Sequence, residues 1–110
     1  MNSKCVDHGD CPSQAMDSQA ISSAYQSINP QWKLSTDTQP QTISREFKFD
    51  KYLAGLDFAN KIATIAEKQN HHPEIIISYK VMTVRYWTHN ANGLTFMDFA
   101  AAEEIDKLKY

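Results

Sequence analysis

The chain has 110 residues, a net charge of −2, 42% hydrophobic residues and 22% charged residues, the make-up of one globular domain with a modest core. That balance lacks the basic surface that nucleic acid or an anionic membrane demands. No apolar run approaches the ~18 residues of a membrane span, and the opening Met1-Asn2-Ser3-Lys4-Cys5 has no apolar stretch of a secretory signal, so a cytoplasmic location is expected.

Residues 1–15 are polar and aperiodic and are expected to form a disordered tail, with a single domain over 16–110. The tail holds both cysteines, Cys5 and Cys11, with His8 between them. Asp7 or Asp10 would have to complete a metal site there, and the spacing is not a zinc pattern. A functionally silent tail is the simpler expectation.

Ile21, Ala24, Tyr25 and Ile28 fall on one helical face, with Asp17 or Ser18 to cap the start and Pro30 to end it. Trp32-Lys33-Leu34 reads as a short strand. From Thr42 to Phe49 the chain alternates, with Ile43, Phe47 and Phe49 on one side and Arg45 as the one break in it. Asp50 is a plausible cap for a second helix, in which Leu53, Leu56, Ala59, Ile62, Ala63 and Ala66 keep a helical period. Pro73 disfavours helix at His72, so His71 is expected to close the helix.

Ile75-Ile76-Ile77 is β-branched and short, hence a strand, and Ser78-Tyr79-Lys80 breaks it. Met82, Val84 and Tyr86 alternate with Val81, Thr83, Arg85 and Trp87 in a further strand. Thr95 opens a last helix striped by Met97, Ala101, Ile105 and Leu108. The order αββαββα, with strands in adjacent pairs, predicts an α+β domain: a four-stranded antiparallel sheet with three helices on one face. Val81 and Trp87 make the other face too apolar to be fully wet, which predicts cover from a partner subunit.

Three of the four histidines, His71, His72 and His89, fall at element ends, with Glu67 one turn before the pair. Imidazole both gives and takes a proton near neutral pH, so the group suggests proton transfer. Simpler roles compete: a histidine at a helix C-terminus is favourable on dipole grounds alone, and Thr95-x-x-Asp98 has capping-box spacing. Zinc is a third reading, but no pair stands at i, i+4 on a helix and adjacent histidines chelate poorly. His71 and His72 point apart unless the chain bends, which Pro73 makes plausible.

The run Glu67-x3-His71-His72-Pro73-x5-Tyr79-x9-His89-x8-Asp98 resembles the signature of the pterin-4a-carbinolamine dehydratases, and the likeness extends over about residues 16–110. The resemblance implies dehydration of a 4a-hydroxytetrahydropterin to the quinonoid dihydropterin, with no metal and no organic cofactor. It implies the same sheet with three helices on one face, and a homodimer or homotetramer. It places His71, His72 and His89 as catalytic residues and Glu67, Pro73, Thr88 and Asp98 at or near the pterin. His72 is expected to matter most. The family's usual setting is cofactor recycling for an aromatic amino acid hydroxylase, with molybdopterin metabolism as another. Some members also act as a dimerisation cofactor for a transcription factor, which makes an interaction module the rival function.

Overall fold

A computed structural model describes residues 14–110 of the chain. The elements are α1 (Ser18–Tyr25), β1 (Lys33–Leu34), β2 (Ile43–Lys48), α2 (Tyr52–Gln69), β3 (Glu74–Ser78), β4 (Val81–Tyr86) and α3 (Phe96–Asp106), the expected αββαββα order. The four strands form one antiparallel sheet in the order β1-β2-β4-β3. α2 carries the chain from β2 past β4 to the sheet edge, and a two-residue turn at Tyr79-Lys80 brings β4 back between them. The expected disordered tail lies, for residues 1–13, outside the described residues, and Cys5, His8 and Cys11 lie there too.

Period-two alternation sets the sheet. Met82, Val84 and Tyr86 of β4 are fully buried and pair across with Phe47, Arg45 and Ile43 of β2. Phe58 and Ile62 of α2, Ala101, Ala102 and Ile105 of α3, and Ile21 of α1 close over them in one cluster, so all three helices share one face. On the other face Val81, Thr83, Arg85 and Trp87 are half-buried.

Arg45, the break in the apolar side, is buried and paired. Its guanidinium donates to Asp106 Oδ1 at 2.7 Å and Gln31 Oε1 at 2.8 Å, and lies 4.5 Å over the Phe47 ring. Asp106 also accepts from the Trp32 indole at 2.7 Å and the Asn29 amide at 3.0 Å. A buried charge needs such compensation, so one cluster stitches α1's exit and β2 to the end of α3.

Several sequence expectations shift. The α2 cap is Lys51, not Asp50, which stands one residue too early, and the Lys51 side chain makes no capping bond. The buried face of α2 runs through Gly55, Phe58, Ile62 and Ala66, whereas Leu53 is 67% exposed and Ala63 is also exposed. The bulk of Phe58 decides that face, and Gly55 admits the Phe49 ring, which would lie 3.4 Å from a Cβ there. The α3 stripe runs through Asp98, Ala101, Ala102 and Ile105, with Met97 half-buried at its side.

Candidate functional site

α2 ends at Gln69, two residues before His71, because Asn70 takes the left-handed conformation (φ 52°, ψ 43°). Its amide bonds back to Ala66 and Glu67 carbonyls, and the His71 amide reaches the Ala66 carbonyl at 3.1 Å. This is the left-handed helix stop that asparagine tolerates. The bend therefore lies before the histidine pair, at Asn70, rather than being made by Pro73 between them. Beyond it the chain is extended, and neighbouring side chains point apart.

His71 turns inward. Its ring stacks on Tyr86 of β4 (centroids 5.3 Å, 22° between planes), and its Nε2 lies 2.6 Å from Asp98 Oδ1. The His71 side chain is 10% exposed and that of Asp98 0%. Asp98 is at the third position of α3 and closes a capping box with Thr95. Its Oδ2 accepts from the Thr95 amide and the Thr88 hydroxyl, each at 2.9 Å. With its hydrogen committed to Asp98, Thr88 must accept from the Thr95 hydroxyl at 2.8 Å, and Thr95 accepts from the Met97 amide at 3.2 Å. A carboxylate only accepts, so these partners assign the His71 proton to Nε2 and leave Nδ1 as the acceptor of the neutral ring.

His72 turns outward. Its Nε2 is also 2.6 Å from a carboxylate, Glu67 Oε2, but here the side chains are 55% and 78% exposed. His89 opens a short 3₁₀ turn, His89–Ala91, in a loop closed by pairing of Thr88 with Gly93. Its ring packs 4.6 Å from Trp87.

The three imidazoles and Thr88 line one cavity of about 280 Å³, together with Asn70, Asn90 and Met97. Asp98 stands behind His71 rather than on the wall, Glu67 reaches the cavity through His72, and Pro73, half-buried, leads into β3. A larger crevice of about 390 Å³ between Lys33, Glu46, Lys48 and Tyr110 holds none of the histidines, so convergent proton-transfer groups and not size single out the smaller one. Among the described residues no group of three His, Cys, Asp or Glu side chains is placed to hold a metal ion.

The sequence did not bring out Asn70 or Asn90, and in it Met97, Tyr86 and Trp87 read only as helix-stripe and strand residues, not as neighbours of the histidines. The Asn70 signal was present, since asparagine just after a helical period favours a left-handed stop. Tyr86 was legible only as core. It is fully buried, its hydroxyl has no hydrogen-bond partner among the described residues, and burial, then the negative charge of Asp98, push its pKa well above the ordinary phenol value.

Residues 14–108 match the family model for pterin 4 alpha carbinolamine dehydratase. A protein of Hahella chejuensis, provisionally named a pterin-4-alpha-carbinolamine dehydratase, is 39% identical over 82 residues, covering 74% of this chain and 73% of its own. A Legionella pneumophila (strain Corby) protein with the same provisional name is 37% identical over 94 residues, 86% of this chain and 81% of its own. Among solved structures, a transcriptional coactivator/pterin dehydratase from Brucella melitensis superposes with a TM-score of 0.75 at 28% identity, covering 84% of this chain and 95% of that one.

Proposed function

Because the chain belongs to the pterin-4-alpha-carbinolamine dehydratase family, we propose that it dehydrates a 4a-hydroxytetrahydropterin to the quinonoid dihydropterin by histidine acid–base catalysis. One observation carries the chemistry: two imidazoles on one cavity each meet a carboxylate at 2.6 Å, one pair buried and the other open to water.

The substrate bears a hydroxyl and a ring nitrogen on one carbon. The nitrogen lone pair expels the hydroxyl once an acid protonates it. The C–O bond breaks, water leaves, a C=N bond forms and the ring N–H gives up its proton. His72 suits the acid, since Glu67 stabilises its imidazolium and its exposure lets solvent reprotonate it. His71 suits the base: Nδ1 takes the ring proton and Asp98 faces the imidazolium that results. His89 and Thr88 line the same cavity and position the pterin. Each proton transfer contributes on the order of 10²–10⁴-fold.

The test is stopped-flow absorbance of chemically generated 4a-hydroxytetrahydropterin with wild type, His72→Ala and no protein. Faster decay with wild type, and much slower decay with the variant, upholds the proposal. Decay equal to the blank with folded protein ends it.

The rival is an interaction module, favoured by the double name of the Brucella melitensis structure and by exposed Tyr52 and Leu53 at the start of α2. A bound protein partner that survives His72→Ala would support it. A homodimer or homotetramer covering the outer sheet face belongs to this proposal, and light scattering of the purified chain tests it. Service to an aromatic amino acid hydroxylase also belongs to it.

A further inference from the structure

We infer that Tyr86 is a positioning residue for His71: its buried ring is the shelf that holds the imidazole in the one orientation from which Asp98 sets its tautomer. The inference rests on the acid–base reading of the site and adds to it a residue outside the histidine–carboxylate set.

Three observations carry it. The first is geometric. Tyr86 lies nearly parallel to His71, 22° between planes and 5.3 Å between centroids, so the phenol covers one face of the imidazole. A ring held only by one bond to Asp98 at 2.6 Å can still swing about that bond. A flat surface against its face removes that freedom. The second is burial. Tyr86 is 0% exposed and closes the His71–Asp98 pair off on the core side, where a smaller side chain would leave space beside a carboxylate that is itself 0% exposed. The third is the unused hydroxyl. Burying a tyrosine normally requires a partner for the O–H, yet this one has none among the described residues. Phenylalanine would pack the same way without that cost, so the hydroxyl is not what holds the shelf together. The aromatic ring is the working part. Because Tyr86 does not line the cavity, it acts through His71 and not on the pterin.

The pairing also explains how one strand end serves two histidines. Successive residues of an extended chain face opposite sides. Tyr86 supports His71 from the core side, while the next residue, Trp87, packs against His89 on the other.

The experiment combines histidine-selective ¹⁵N NMR with turnover of 4a-hydroxytetrahydropterin. It uses wild type, Tyr86→Phe, Tyr86→Leu, Tyr86→Met and the double variant His71→Ala/Tyr86→Leu. Wild type and Tyr86→Phe are expected to show His71 as a single Nε2–H tautomer, with equal turnover. Tyr86→Leu and Tyr86→Met, folded and with unchanged His72 and His89 signals, are expected to show mixed His71 tautomers. Their kcat should fall about tenfold or more with KM within about twofold, within the span of a proton-transfer contribution. On the His71→Ala background, Tyr86→Leu should cost nothing further, because residues acting as one unit are non-additive.

A His71 that is not fixed as Nε2–H in wild type overturns the inference whether or not the variants fold. So does a folded Tyr86→Leu with unaltered His71 and kcat, or a Tyr86→Phe as impaired as Tyr86→Leu. If wild type fails to accelerate dehydration while His71 responds to Tyr86 as expected, the acid–base reading has failed and the positioning role stands by itself.

Discussion

His71–Asp98 and His72–Glu67 are the same pair of groups at the same 2.6 Å separation, one residue apart in the chain, in opposite surroundings. The first has 10% and 0% of its side chains exposed, the second 55% and 78%. The Asp98 carboxylate is held by three partners counting His71, and it also closes the capping box of α3, so its loss is a loss of fold as well as of charge. Among the described residues Glu67 has one side-chain partner, and its side chain is otherwise open to solvent. Distance alone says nothing about what an ion pair is worth: removing one partner of a buried pair strands the other, whereas exposed pairs are screened and contribute little.

The largest expected effect is therefore that of Asp98→Ala. It removes the N3 half of the capping box and leaves the His71 Nε2–H, the Thr88 hydroxyl and the Thr95 amide without their acceptor, at about 1–3 kcal/mol for each buried group, so the loss should reach at least about 3 kcal/mol in denaturant unfolding. A loss below about 1 kcal/mol, the exposed-pair range, would erase the distinction between the two pairs. Asp98→Asn separates fold from chemistry. The amide oxygen can still serve Thr95 and Thr88, which turns its NH₂ toward His71 and makes Nε2 an acceptor, so the ring must carry its proton on Nδ1. The fold should survive better than in Asp98→Ala, while kcat falls on the order of 10²–10⁴-fold for want of the right tautomer.

This contrast was half legible in the sequence. The fold was readable because period-two alternation in β2 and β4 and helical periodicity elsewhere are direct records of which side is buried. Arg45 could be seen as a misfit, but not its partner Asp106, 61 residues away. Glu67 was readable as a neighbour of the histidine pair because it stands one helical turn before it, but which of the two it meets was not: it is His72, five residues on. Asp98 had two readings, cap or site residue, and the structure gives it both positions at once: the capping box of α3 and the bond to His71. What stayed hidden were through-space contacts, such as Tyr86 under His71, because alternation marks a residue as inward without saying which side chain it meets.

Tyr86 sharpens the comparison from the buried side. Burial and the charge of Asp98 raise the folded-state pKa of its phenol above the ordinary value of about 10 that it has in the unfolded chain. Below pH ~10 both states keep the proton and the linkage contributes nothing variable. Above it the unfolded chain loses the proton while the folded one holds it. Stability should then fall by up to about 1.4 kcal/mol per pH unit as pH rises toward the folded pKa. Tyr86→Phe lacks this group, so its stability relative to wild type should increase steadily above pH ~10, measured by urea unfolding. An unchanged difference between the two proteins would mean that the phenol titrates alike in both states.

The smallest effect belongs to Glu67→Ala, and it tests the exposed half. With both side chains mostly in water, the pair with His72 should contribute about 0–1 kcal/mol, so the melting temperature should hardly move. Its influence on His72 should instead appear in turnover: without the carboxylate 2.6 Å away to hold the ring, kcat should fall while the fold is kept. That small contribution to stability should shrink further as salt is raised from 0.01 to 1 M, where the screening length contracts from about 30 to about 3 Å. The loss in Asp98→Ala, whose pair is shielded by burial, should respond much less to the same salt. If the two losses show equal salt sensitivity, the difference in exposure does not govern what the pairs contribute, and the division into a solvent-fed acid and a buried base loses its physical ground.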